Sequence, residues 1–329
     1  MKTTCKILFF LFVLFSPFLA LNFFYKKAEF EHGDSDVSKF FNVPKEIELA
    51  NLGSSHGKYS FDYSKHSELN TFNFALPLQP LDFDYRIAKQ YINNMQKKSV
   101  LMIVVSWFEI DAIPTEKNYQ ETEKKYYRFL KRNLLPDSSF GKYLKLKYFP
   151  IVASSSPFKT IKNQLAIPFL NKRKDELNNI EKTVEIKDSF KSWTAEKQRN
   201  ESKEAAEGIF RKFSRKGEAG IQYNEELLKK IIGLCLVREI KPVIITTPFS
   251  STLNYFIDEN KTLVENIGKV KKIIRENYPE VLWLDYSHNP DFSEHFEYFG
   301  DPSHLIENGA FIFTDKVISD LRELQLLEN

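Results

Sequence analysis

Ser99-Val-Leu-Met-Ile-Val-Val105 is a continuous apolar run, with Gln96, Lys97 and Lys98 before it and Ser106 after it. A run this short has strand length, and a strand apolar at every position is buried on both faces, as in a parallel sheet. On its N-terminal side, Glu46–Leu52 reads as a strand ending at Gly53. Thr71–Leu76 is a second apolar run, closed by Pro77 and Pro80. Asp84 to Gln96 has helical spacing, with Ile87, Tyr91 and Ile92 on one face.

On the C-terminal side the alternation resumes: Glu225–Arg238 as helix, Pro242–Thr246 as buried strand, Leu263–Asn277 as helix and Val281–Leu284 as strand. Gly309–Leu326 closes the chain as an amphipathic helix. Alternating strands and helices predict an α/β fold. The expected form is a doubly wound, flavodoxin-like parallel sheet of about five strands, with helices on both faces. A long helical insert, about 114–220, interrupts it. The insert is rich in Lys, Glu, Asn and Ser, and its helical stretches (Asn118–Arg132, Glu201–Lys216) carry few apolar residues. It reads as a solvated excursion with a role near the site, as a lid or a docking surface.

Composition narrows the function. The 329 residues are 42% hydrophobic and 28% charged, with a formal charge of +3. That balance, without a basic stripe interleaved with aromatics, argues against nucleic acid as a partner. Cys5 and Cys235 are the only cysteines, too few for a disulfide framework or a cysteine-based metal site. No cofactor is expected. A cluster of His288, His295 and His304 with Asp285, Asp291 and Asp301 is the one metal reading, and it lacks ligand pairs four apart on a helix face.

Lys2 and Lys6 precede an uncharged run from Ile7 to Tyr25, closed by Lys26 and Lys27. That run can just span a bilayer and is longer than a typical cleavable segment. Residues 1–27 therefore read as a signal anchor with the body exported, the alternative being a cleaved signal peptide. A stalk (28–44) and the main domain (45–329) follow.

Ligands of parallel sheets bind at the carboxyl ends of the strands. Gly53-Ser-Ser-His-Gly57 follows the first strand, Pro77-Leu-Gln79 the second and Ser106-Trp107 the third. Asp285, and further on Asp301-Pro-Ser-His304, follow the last. A serine hydroxyl needs a base to take its proton, and a histidine base needs a carboxylate to hold its tautomer. Ser55, His304 and Asp301 can supply the three parts. Trp107 is expected to serve core packing rather than an acyl pocket. His56 reads either as a group near the acyl substrate or as a solvent-facing residue at a helix start.

Glu48-Leu-Ala-Asn-Leu-Gly-Ser-Ser-His-Gly57 resembles the first block of the SGNH (GDSL-like) hydrolase superfamily, with Ser54 in place of the usual Asp. Asp301-Pro-Ser-His304-Leu305, with Gly309-Ala310 and Phe313-Thr314, resembles its last block. Phe72-Asn-Phe-Ala-Leu-Pro-Leu-Gln-Pro-Leu-Asp-Phe-Asp-Tyr85 resembles the second block of a bacterial envelope subgroup. That subgroup is akin to proteins of alginate O-acetylation and teichoic-acid D-alanylation. The resemblance covers the core on both sides of the insert.

It implies a nucleophile at Ser55 with Asp301 and His304 as its base. Oxyanion donors would come from Ser55, from Leu78 or Gln79 in place of the family Gly, and from Ser106 in place of the family Asn. It further implies an extracytoplasmic serine esterase or O-acyltransferase acting on an acylated envelope glycan or polymer, with a membrane-bound acyltransferase as partner. The alternative is a non-catalytic binding or scaffold protein that keeps the fold.

Overall fold

β1 (Ile47–Leu52), β2 (Thr71–Asn73), β3 (Met95–Val104), β4 (Lys241–Thr246) and β5 (Leu282–Asp285) form one sheet, parallel throughout, in the order β2-β1-β3-β4-β5. These strands belong to a computed structural model that describes residues 2–31, 37–154, 156–162 and 189–328. Part of the expected stalk (32–36) and the middle of the insert (163–188) lie outside the described residues. The α/β doubly wound fold expected from the sequence is therefore the fold observed.

β3 is the axis of the sheet, because its side chains are buried on both sides. Val100, Met102 and Val104 join Leu49, Val243 and Ile245 in a core closed by Ala310, Phe313, Val317 and Leu321 of the C-terminal helix Glu307–Glu323. The intervening Leu101, Ile103 and Ile244 are also buried and, by the two-residue period of a strand, face the other side. Helix Glu218–Val237 packs against helix Leu81–Tyr91 and against β4.

Several boundaries differ from the sequence reading, each for a local reason. The helix expected at Asp84–Gln96 is Leu81–Tyr91, with Asp82 and Asp84 in its first turn, where carboxylates suit the helix dipole. The strand begins at Met95, opposite Ile47, although Lys97 and Lys98 are exposed and give this stretch the look of a loop. β2 stops at Asn73, short of Leu76, and the chain turns through Leu78 in the left-handed region (φ 54).

Helix Glu218–Val237 starts seven residues earlier than its apolar pattern does. Its first turns hold Gly220 and Asn224, which read as breakers but serve packing. A Cβ on Gly220 would lie 2.1 Å from the Asp111 carbonyl oxygen. The Asn224 amide donates to the carbonyls of Glu109, Ile110 and Ala112. Residues Ala112–Pro114 pair antiparallel with Phe213–Arg215 in a small separate ribbon.

The chain divides into two compact units, Asn42–Thr122 with Thr183–Asn329, and Met1–Phe41 with Glu123–Lys182. The first holds the sheet. The second has a core of its own, in which Tyr25, Phe30, Phe40, Tyr126, Leu146 and Ile151 are buried. Phe40 stacks on Phe129 at 3.9 Å, and Asn22 donates to the Tyr148 carbonyl at 2.7 Å. This half of the insert thus differs from a solvated excursion, because aromatic rings scattered among lysines supply its core.

The N-terminal helix Lys2–Phe30 is long and apolar enough to cross a membrane by length and composition. Pro17 lies inside it, and the Ser16 hydroxyl donates to the Val13 carbonyl at 3.1 Å. A hydroxyl is thereby offered to a carbonyl that the proline, having no N–H, leaves unserved.

Gly53 closes β1 in a conformation (φ 134) open only to glycine, and an added Cβ would lie 2.8 Å from Val104 Cβ on β3. Gly53→Ala is expected to lower folding stability by about 2 kcal/mol or more through strain and overlap. Thermal and denaturant unfolding of purified wild type and variant check this.

Candidate active site

Ser55 opens the short helix Ser55–Ser60 directly after the Gly53 turn, and Ser54 is its N-cap residue. The turn is fixed from below. The Gly53 N–H donates to Asp84 Oδ1 at 2.8 Å, and the Gln79 side chain donates to the same oxygen at 2.6 Å. Asp84 is 2% exposed. Burial pushes its pKa well above the carboxylate range, while the bonds from Gln79 and Gly53 act in the opposite sense. The far end of the helix is held by Asn51 inside β1, whose amide donates to the Gly57 carbonyl at 3.0 Å and to Asn73 at 3.1 Å. Tyr63 donates to the other side of the same amide.

Asp301 and His304 sit in a loop closed by a bridge between Phe299 and Leu305. Ser250 N–H donates to the Pro302 carbonyl at 3.0 Å, tying this loop to the end of β4. The Asp301 carboxylate is divided between two tasks. Oδ1 accepts the backbone N–H of Ser303 (2.8 Å) and of His304 (2.9 Å), and the Ser303 hydroxyl (3.0 Å). Oδ2 lies 2.8 Å from His304 Nδ1. With Nδ1–H donating to that oxygen, the lone pair of Nε2 faces Ser55 Oγ at 2.9 Å. Burial alone would raise the Asp301 pKa, but the bond and charge of His304, with the Ser303 donors, hold it at about 2. The carboxylate therefore stays ionised over the whole working range of a histidine base.

The structure thus brings Ser55, His304 and Asp301 together in the order a nucleophile, base and orienting carboxylate require. It treats the oxyanion candidates differently. Ser106 is 1% exposed, with its hydroxyl 2.9 Å from His56 Nδ1 and its N–H on Glu109. Gln79 is 2% exposed, and its amide donates to Asp84 and to the Phe74 carbonyl. Both are turned into the fold, and their side chains hold other groups in place. Leu78 is 56% exposed in its left-handed turn. The chain next to it is fastened to the Ser55 turn by Leu76 N–H to the Gly53 carbonyl at 3.3 Å. The backbone N–H groups of Ser55 and Leu78 are what remain of the expected donors.

His56 is not the solvent-facing residue that was one of its two readings. It is 3% exposed and stacks on His304 with ring centroids 4.8 Å apart and planes 14° from parallel. Phe249 meets it edge-on at 5.3 Å. Burial, and then the neighbouring His304, push its pKa well below the usual histidine value. His56 is therefore a neutral ring stacked beneath His304.

Glu109 was missed by sequence reasoning. It accepts the Ser106 N–H at 3.3 Å and the Ser54 hydroxyl, so a carboxyl group from the β3 side braces the residue before Ser55. Burial raises its pKa to about 7, against the pull of those two donors. The signal was present as a glutamate three residues after Ser106, the spacing of a capping box.

The suggested metal cluster separates into pairs: His304 with Asp301, His288 with Asp258, His295 with Glu297. Among the described residues no group of three or more such side chains is arranged to hold a metal ion. Trp107 is 8% exposed, its ring 5.1 Å from that of His288. In the comparison with known proteins, no family model and no curated protein matches the chain.

A carboxyl whose folded pKa lies above its unfolded value stabilises the fold while protonated. The Glu109 contribution is complete below about pH 4.5 and is lost as the pH rises to about 7. Glu109→Gln should remove this loss, worth up to about 3 kcal/mol. The stability of the variant relative to wild type is then expected to rise between those two pH values, as read from parallel urea titrations.

Proposed function

We propose that the protein is an extracytoplasmic serine esterase or O-acyltransferase of the SGNH type, acting through an acyl-enzyme on an acylated envelope glycan or polymer. One observation carries the reading: His304 Nε2 at 2.9 Å from Ser55 Oγ, with Nδ1 at 2.8 Å from Asp301. As the Ser55 oxygen attacks an ester carbonyl, His304 takes its proton and Asp301 balances the imidazolium. His304 then passes the proton to the departing alkoxide, leaving the acyl group on Ser55. Water, or a sugar hydroxyl deprotonated by His304, takes the acyl group and restores the serine.

The N-terminal apolar helix supports export and anchoring, and the resemblance of the Ser55 and His304 blocks supports the superfamily. A membrane-embedded acyltransferase as the acyl donor rests on that resemblance alone. The inward commitment of Gln79 and Ser106 favours a second reading, a scaffold that keeps the triad without a complete oxyanion hole. In the catalytic reading the N–H groups of Ser55 and Leu78 serve instead. A hole short of one donor typically costs about a hundredfold or more in rate, so slow turnover is expected.

The full-length protein in detergent should form a covalent adduct at Ser55 with a fluorophosphonate. The adduct should be absent in Ser55→Ala and His304→Ala, and formed on the order of a thousandfold or more slowly in Asp301→Asn. Peptide mass mapping locates it. A folded protein that takes no label, or labels equally without His304, favours the scaffold.

A further inference from the structure

The unit formed by Met1–Phe41 with Glu123–Lys182 contains an exposed surface that its own core does not explain. Its helix Phe140–Tyr148 is followed by the turn Pro150–Ala153. Leu146, Pro150, Ile151 and Ile161 point inward. Yet Tyr148 (47%), Phe149 (39%), Val152 (51%) and Phe158 (70%) lie open. Single exposed apolar residues are ordinary, whereas four from one short stretch mark a surface that meets something apolar.

Two observations say what that is. The first is charge. Residues 138–162 carry Lys142, Lys145, Lys147, Lys159 and Lys162 and no Asp or Glu; Lys142 pairs with Glu123 and Asp137, and the other lysines leave the stretch net basic. The second is continuity with the N-terminal helix. Ile7, Phe9, Phe10, Phe12, Val13 and Phe15 of that helix are each more than half exposed. The stretch attaches in the C-terminal half of this run, before its close at Tyr25: Phe149 stacks on Phe18 at 6.1 Å, and the Tyr148 carbonyl accepts from Asn22. Aromatics and lysines gathered at one end of an apolar span have the composition of a membrane–water boundary.

We propose that residues 138–154 and 156–162 form an interfacial foot, which rests in the headgroup layer of an anionic membrane around the base of the N-terminal helix. Tyr148, Phe149, Val152 and Phe158 enter the boundary between headgroups and acyl chains, and Lys145, Lys159 and Lys162 meet lipid phosphates. The inference rests on the reading of residues 1–27 as a retained span. A protein partner is the less favoured occupant, because the surface is contiguous with the exposed apolar helix and net basic.

The test uses the full-length chain with Cys5→Ser, reconstituted in phosphatidylcholine vesicles with and without phosphatidylglycerol. Phe158→Cys and, separately, Phe15→Cys carry an environment-sensitive fluorophore. Lipids spin-labelled at the headgroup or deep in the acyl chain act as quenchers. The foot predicts headgroup-level quenching at Phe158→Cys and deep quenching at Phe15→Cys. On the anionic vesicles, Lys145→Gln and Lys159→Gln should each lower the docked population at Phe158→Cys roughly fivefold. Deep quenching at Phe15→Cys with an unquenched Phe158→Cys overturns the foot and leaves the span standing. Quenching at neither position removes the span, and the foot with it.

Discussion

Asp84 is the group on which the arrangement around Ser55 depends. It is a carboxyl group with almost no access to water, and a single oxygen receives both the Gly53 N–H and the Gln79 amide. Those donors come from the loops after β1 and after β2. A buried acceptor of this kind is costly unless satisfied. Once satisfied, it fixes the two loops together, and the turn that carries Ser55 inherits that fixity. Gly53 must then pass within contact of Val104 on β3, which excludes any residue with a side chain. Sheet, turn and serine are thus set by one polar contact and one steric one.

The base side follows a similar logic with a different carboxylate. Asp301 spends one oxygen on shaping its own loop and the other on His304. The loop cannot relax without disturbing the histidine, and the histidine cannot turn without unsatisfying the loop. His56 adds a neutral ring under His304 and reaches Ser106 at the end of β3. Gln79 and Ser106, expected as oxyanion donors, act here as braces behind Ser55 and His304.

How much of this was legible in the sequence depends on what each residue does. β3 and β4 were plain because strands buried on both faces leave an uninterrupted apolar run. Ser55, Asp301 and His304 were legible because they follow strand ends in a recognisable order. Asp84 was not, since a charged residue near a helix start reads as dipole complement or surface, and only tertiary burial reveals its partner; Glu109 left its capping-box spacing from Ser106 in the sequence, but not its burial or its contact with Ser54. The early start of the helix at Glu218 was hidden for the same reason. Gly220 and Asn224 look like breakers until Asp111 and the carbonyls of Glu109 to Ala112 are laid against them. The core around Tyr126 was obscured by its lysine-rich neighbours.

Pro17 has a mechanical consequence. It interrupts the hydrogen-bond ladder of the N-terminal helix shortly before Asn22, where the protein's own core begins to cover that helix. Proline is the commonest cause of a bend in a helix, and an apolar stretch adapts to the thickness of its surroundings by tilting. Were this helix retained as a membrane span, a joint at Pro17 would let its outer half lean without levering the half that carries the Asn22 and Phe18 contacts with Tyr148 and Phe149.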